Sequence, residues 1–130
     1  MKEILQAYIY NEKMLNDLYK RAAALTCRED EREALLNFAD HCHQITNELN
    51  QIYYEQFDDY YQPLIHEQNM QGSFRDVLNH IQTLEIGYYD TYRRHTYSND
   101  PILKEAMREF ADLKLAHTLA IMAMVIDMND

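Results

Sequence analysis

Chain breakers are almost missing from this sequence: two glycines and two prolines in 130 residues. That scarcity excludes a loop-rich or multi-turn β architecture and points to long helices. Tryptophan is absent. The two cysteines, Cys27 and Cys42, form no C-x-x-C and no zinc-ligand spacing, which leaves reduced thiols as the plain expectation. The longest apolar run, Leu119 to Ile126, falls short of the roughly 20 residues that a bilayer crossing needs. No basic-then-apolar leader is visible at the start of the chain. Positive charge is in short supply: 12 Lys and Arg against 22 Asp and Glu, a net charge of -10. Such acidity disfavours nucleic acid and anionic membrane as partners. The expectation is a cytoplasmic protein forming one domain over residues 1–130.

What the chain does contain is helical periodicity. The first helix is expected from about Glu3 to Leu25, with Leu5, Tyr8, Ile9, Leu15, Leu18, Tyr19 and Ala22 on one face. Thr26-Cys-Arg-Glu29 reads as a capping box opening a second helix, from about Cys27 to Phe57. Its stripe is Leu35, Phe38, Cys42, Ile45, Leu49 and Ile52. A long connection, Asp58 to Gly72, suits a crossover rather than a tight turn. Ser73 is the expected cap of a third helix, from about Phe74 to Tyr97. Asp100 and Pro101 are the N-cap and first position of a fourth, reaching about Met128. Its stripe is Leu103, Met107, Phe110, Lys114, His117, Ile121 and Met124. The fold class is therefore all-α: a four-helix bundle of two hairpins joined by a crossover between helices two and three. The 11 tyrosines lie mostly at helical spacing and read as packing residues with a polar tip. Tyr53, Tyr54, Tyr60 and Tyr61 are a candidate contact surface, against ordinary packing of the crossover.

The two halves echo each other. Glu12, Leu15 and Tyr19 match Glu85, Tyr88 and Tyr92 at an offset of 73, and Phe38-Ala39-Asp40 matches Phe110-Ala111-Asp112 at an offset of 72. Near-constant offsets across both helix pairs indicate a duplicated hairpin with pseudo-two-fold symmetry. Glu12 and Glu85 fall on the apolar sides of their helices, where a carboxylate is costly unless paired, hydrogen-bonded or metal-bound. Two at one repeat position favour a shared central site over two solvent-reaching side chains.

Four helices, a long crossover and Glu-x-x-x-x-x-x-Tyr in helices one and three together resemble the ferritin-like superfamily, and within it the small rubrerythrin-like proteins. The resemblance covers nearly the whole chain. It implies two irons held by a Glu from each of helices one and three and a Glu-x-x-His from each of helices two and four. Glu12 and Glu85 take the first two places. The helix-four pair maps to Lys114 and His117, and the helix-two pair to Cys42 and Ile45. Three of six ligands remain, and a lysine stands where a carboxylate belongs. Tyr19 and Tyr92 would flank the site.

Two readings follow. In the first, no cofactor is held: Lys114 neutralises Glu12, Glu85 or both in the core, His117 joins the network, and the protein has a structural or interaction role, as a homodimer or with a protein partner. In the second, Glu12, Glu85 and His117 hold a single Fe, Mn or Zn ion and support oxidoreductase or peroxide chemistry. A metal-storage subunit is a weaker third. No nucleophile triad, phosphate loop or cysteine-rich electron-transfer module is visible, and the lost ligands weigh against catalysis. Asp40-x-x-His43 mimics a metal pair but points away from the core stripe. His41, Cys42 and His43 cannot converge from one helix. His66 and Glu67 in the crossover read as exposed. His80 and His95 lack ligand partners at helical spacing, and Glu105 with Arg108 reads as a solvated face.

Overall fold

The computed structural model describes residues 1–66 and 72–128. Among them lie four α-helices and a single 3₁₀ turn, with no strand: α1 (Lys2–Leu25), α2 (Glu29–Phe57), α3 (Phe74–Arg94), the turn His95–Tyr97, and α4 (Pro101–Asp127). The chain divides into two compact units, Met1–Gln71 and Gly72–Asp130. Each is a helical hairpin: α1 packs along α2, and α3 along α4. Among the described residues, no helix is long and apolar enough to cross a membrane.

In the first unit, the link between α1 and α2 differs from the expected capping box. Thr26 closes α1, and α2 begins at Glu29 with Arg28 as its N-cap and no side-chain cap bond. The Thr26 hydroxyl is already committed. It donates to Glu31 Oε1 at 2.9 Å and accepts from the Arg28 amide at 3.2 Å. Arg32 reaches back to the end of α1, donating to the carbonyls of Ala23 (3.2 Å) and Thr26 (2.8 Å). One guanidinium thus satisfies carbonyls that the helix end leaves without intrahelical partners. Beyond α2, Asp58 takes a left-handed conformation (φ 56°), and the chain turns back as an extended strap. Asn50 holds that strap at Tyr61, accepting from its N–H (2.7 Å) and donating to its C=O (3.0 Å). Lys13 donates to the Pro63 carbonyl at 3.3 Å.

The tyrosine-rich stretch is engaged in this return. Tyr53 is buried, receives a hydrogen bond from Gln6, and packs against the rings of Phe57 and Tyr61. Tyr54 stacks on Tyr60 with centroids 4.6 Å apart, and both keep an exposed side. His66 is exposed; Glu67 lies outside the described residues.

In the second unit, the expected caps are present. Ser73 and Asp76 form a reciprocal capping box, and Asp100 accepts from the amides of Ile102 and Leu103 ahead of Pro101. Gly72 precedes the box because a Cβ there would come within 2.8 Å of Asp76 Cβ. The third helix stops three residues earlier than expected, at Arg94, where the chain tightens into the 3₁₀ turn.

The repeat extends well beyond the motifs that first suggest it. Leu35, Ala39, Cys42, Ile45, Thr46, Leu49 and Ile52 of α2 are buried, and so is every residue 72 positions later in α4: Met107, Ala111, Lys114, His117, Thr118, Ile121 and Met124. Tyr19 meets Phe38 edge to face at 5.7 Å and 69°; Tyr92 meets Phe110 at 5.6 Å and 65°. The Thr46 hydroxyl donates to the Cys42 carbonyl at 2.9 Å, and Thr118 to that of Lys114 at 2.8 Å. These contacts tie Cys42 to Lys114, and Ile45 to His117, as equivalent positions.

Candidate functional site

The second unit holds a buried charged cluster at the positions that the sequence singles out. Glu85 projects from α3, and Lys114 and His117 project from the facing side of α4 at i, i+3 spacing. All three are shielded from solvent. Lys114 Nζ lies 3.0 Å from Glu85 Oε1, and His117 Nδ1 lies 2.6 Å from Glu85 Oε2. An ionised carboxylate only accepts, so the imidazole carries its proton on Nδ1 toward Glu85. His117 hydrogen-bonds Oε2, and the Lys114 ammonium is the ion-pair partner beside Oε1.

Burial alone would raise the Glu85 carboxyl pKa. The Lys114 charge, the hydrogen bond and charge of His117, and the hydrogen bond from Lys114 together outweigh it and hold the group below its ordinary value of 4.5. The ionised form is favoured inside the hairpin because its countercharge is fixed by the same two helices.

The other residues named in the sequence are placed as follows. Glu12 is fully buried on α1 in the first unit, the position equivalent to Glu85. Cys42 and Ile45 are buried on α2, and neither cysteine is in a disulfide. Tyr19 and Tyr92 are buried and engaged with Phe38 and Phe110. Asp40 and His43 are exposed on α2 while Cys42 points inward, as expected for neighbours on one helix. Glu105 and Arg108 form an exposed pair at 3.7 Å. Glu31 escaped the sequence reading: it is buried against Thr26, and a Thr five residues before a Glu across a helix break was the only signal.

The Lys114 ammonium stands beside Glu85, and the equivalent α2 positions carry a thiol, Cys42, and an alkyl group, Ile45. Among the described residues, no group of three or more His, Cys, Asp or Glu side chains is placed to hold a metal ion. An iron bound to Glu85 would have to displace both the lysine and the imidazole N–H.

No protein-family model, curated protein or solved structure matches the chain.

Proposed function

We propose that the protein is of the ferritin-like four-helix-bundle kind, with Lys114 supplying the positive charge that two metals supply in that superfamily. On this reading the protein is a cytoplasmic, non-catalytic structural or interaction module. The observation that carries it is the Glu85 carboxylate, fully buried and met on one oxygen by Lys114 and on the other by His117. A buried charge is costly unless it is paired, and Lys114 brings a positive charge to 3.0 Å from Glu85. The duplicated hairpin supports the bundle, because Glu12 in the first unit stands where Glu85 stands in the second.

Metal analysis tests the reading. Protein purified without chelators, then loaded with Fe(II) or Mn(II) and desalted, is expected to retain well under one ion per chain. One tightly held ion per chain, lost in Glu85→Ala, would instead support a single-ion site that includes Glu85.

A further inference from the structure

The repeat assigns a role to a face of α4 that the hairpin leaves open. Leu115, Leu119, Met122 and Ile126 are 40%, 58%, 39% and 60% exposed. Their spacing of four, three and four is that of a coiled-coil seam. Exposed Ala116 and Ala123 lie beside them. From Leu115 to Ile126 there is no Asp, Glu, Lys or Arg.

The equivalent face of the first unit is polar and partly covered by the strap. Counting back 72 positions from the stripe gives His43, Asn47, Asn50 and Tyr54. His43, Asn47 and Asn50 line a cleft of about 250 Å³ together with Lys13 of α1 and Tyr61, Gln62 and Ile65 of the strap. There the strap half-buries Asn50, with Asn50 and Lys13 satisfying the backbone of Tyr61 and Pro63, while His43, Asn47 and Tyr54 keep exposed sides. The second unit has Met122 where the first has Asn50, and Ile86, itself exposed, where the first has Lys13. An extended strap laid on that face would leave its N–H and C=O groups without side-chain partners. A helix satisfies its own backbone, and an apolar stripe at seam spacing accepts one.

We infer that the α4 stripe pairs with the same stripe of a second copy of this chain, antiparallel about a two-fold axis between Leu119 and Met122. Leu115 of each chain then opposes Ile126 of the other, and Leu119 opposes Met122, so the surface is self-complementary as a two-fold interface requires. The charge-free window matters in a chain of net charge -10, because repulsion between copies is weakest where no carboxylate lies. The stripe runs about 16 Å along the helix axis at 1.5 Å per residue. It buries roughly a few hundred Å² per chain, which makes a dimer that dissociates on dilution. The inference rests on the solvent face of α4, and the buried Glu85 pair plays no part in its test.

Sedimentation equilibrium of the full chain, from micromolar to sub-millimolar concentration, reads the mass directly. The wild type is expected to rise from 15.6 kDa toward twice that value. Leu119→Glu is expected to remain a monomer throughout, with unchanged helical circular dichroism and melting, because the site is already solvent-exposed. Leu115→Glu and Ile126→Lys are each expected to weaken the dimer by at least about tenfold. Combined in one chain they face each other across the axis, and dimerisation returns. A wild type that stays monomeric overturns the inference, whatever other protein it binds. So does a Leu119→Glu variant that dimerises like the wild type, or a double variant that stays monomeric.

Discussion

Lys114 and Glu85 form an ion pair of 3.0 Å in which neither side chain reaches solvent. Paired charges in such a place gain less than they would cost apart. The presence of each offsets part of the desolvation of the other, so the pair matters most for what its loss leaves behind.

Removing one partner should therefore be severe, and removing both should be mild. Lys114→Ala removes the buried ammonium beside Glu85 and is expected to destabilise folding by roughly 3–5 kcal/mol. Lys114→Met combined with Glu85→Gln removes both charges and keeps an acceptor for His117 Nδ1, so most of that loss should be recovered. Urea unfolding of the single and double variants measures both. Equal losses in the two would mean that the charges do not interact.

Acid stability should carry the same signature. The folded-state pKa of Glu85 is depressed, so its contribution is fully present above the unfolded carboxyl value of 4.5 and disappears as the pH falls through the folded value. The wild type should lose stability more steeply below about pH 4.5 than the Lys114→Met/Glu85→Gln protein, which has no carboxylate there to protonate. Urea midpoints from neutral pH into the acid range give the comparison. Parallel acid limbs would contradict a depressed Glu85.

The duplicated aromatic contact predicts duplicated energetics. Double-mutant cycles on Tyr19 with Phe38, and on Tyr92 with Phe110, should each return about 0.5–1.5 kcal/mol of coupling beyond the loss of burial. The two values should agree closely, since distance and angle nearly coincide. Coupling in one hairpin alone would argue against equivalence of the two.

Helix ends give a graded prediction. Ser73→Ala and Asp100→Ala each remove an exposed cap and should cost about 1 kcal/mol. Thr26→Ala should cost more, roughly 1–3 kcal/mol, because it leaves the buried Glu31 carboxylate without its hydroxyl donor. Thermal unfolding of the three variants ranks them. A Thr26→Ala protein as stable as the wild type would show that the capping pattern there is incidental.

Much of this was legible in the residue order. Few breakers and a 3.6-residue period gave four helices, and both caps of the second unit were written in Ser73, Asp100 and Pro101. Lys114 was conspicuous because it stands three residues before His117, where the ferritin-like resemblance implies a glutamate. The junction at Thr26 was misread by two residues: a threonine three before a glutamate signals a cap, but its hydroxyl was taken by a more distant, buried Glu31. The end of α3 was placed late because His95, Thr96 and Tyr97 carry no breaker. The second apolar face of α4 was read only as a run too short for a membrane, since periodicity cannot say which of two apolar faces a neighbour covers. The full repeat of seven buried positions was hidden because equivalent residues share burial and not chemistry, as Cys42 with Lys114 and Ile45 with His117 make plain.

Chemical accessibility of Lys114 tests the buried countercharge most directly. Brief acylation of native protein, read residue by residue by mass spectrometry, compares it with Lys2, Lys20 and Lys104, all exposed. Lys114 should stay unmodified until the chain unfolds, while the three exposed lysines react at once. Labelling of Lys114 at the rate of those three in the folded protein would show that the ammonium leaves Glu85, and the proposed stand-in for metal would fall with it.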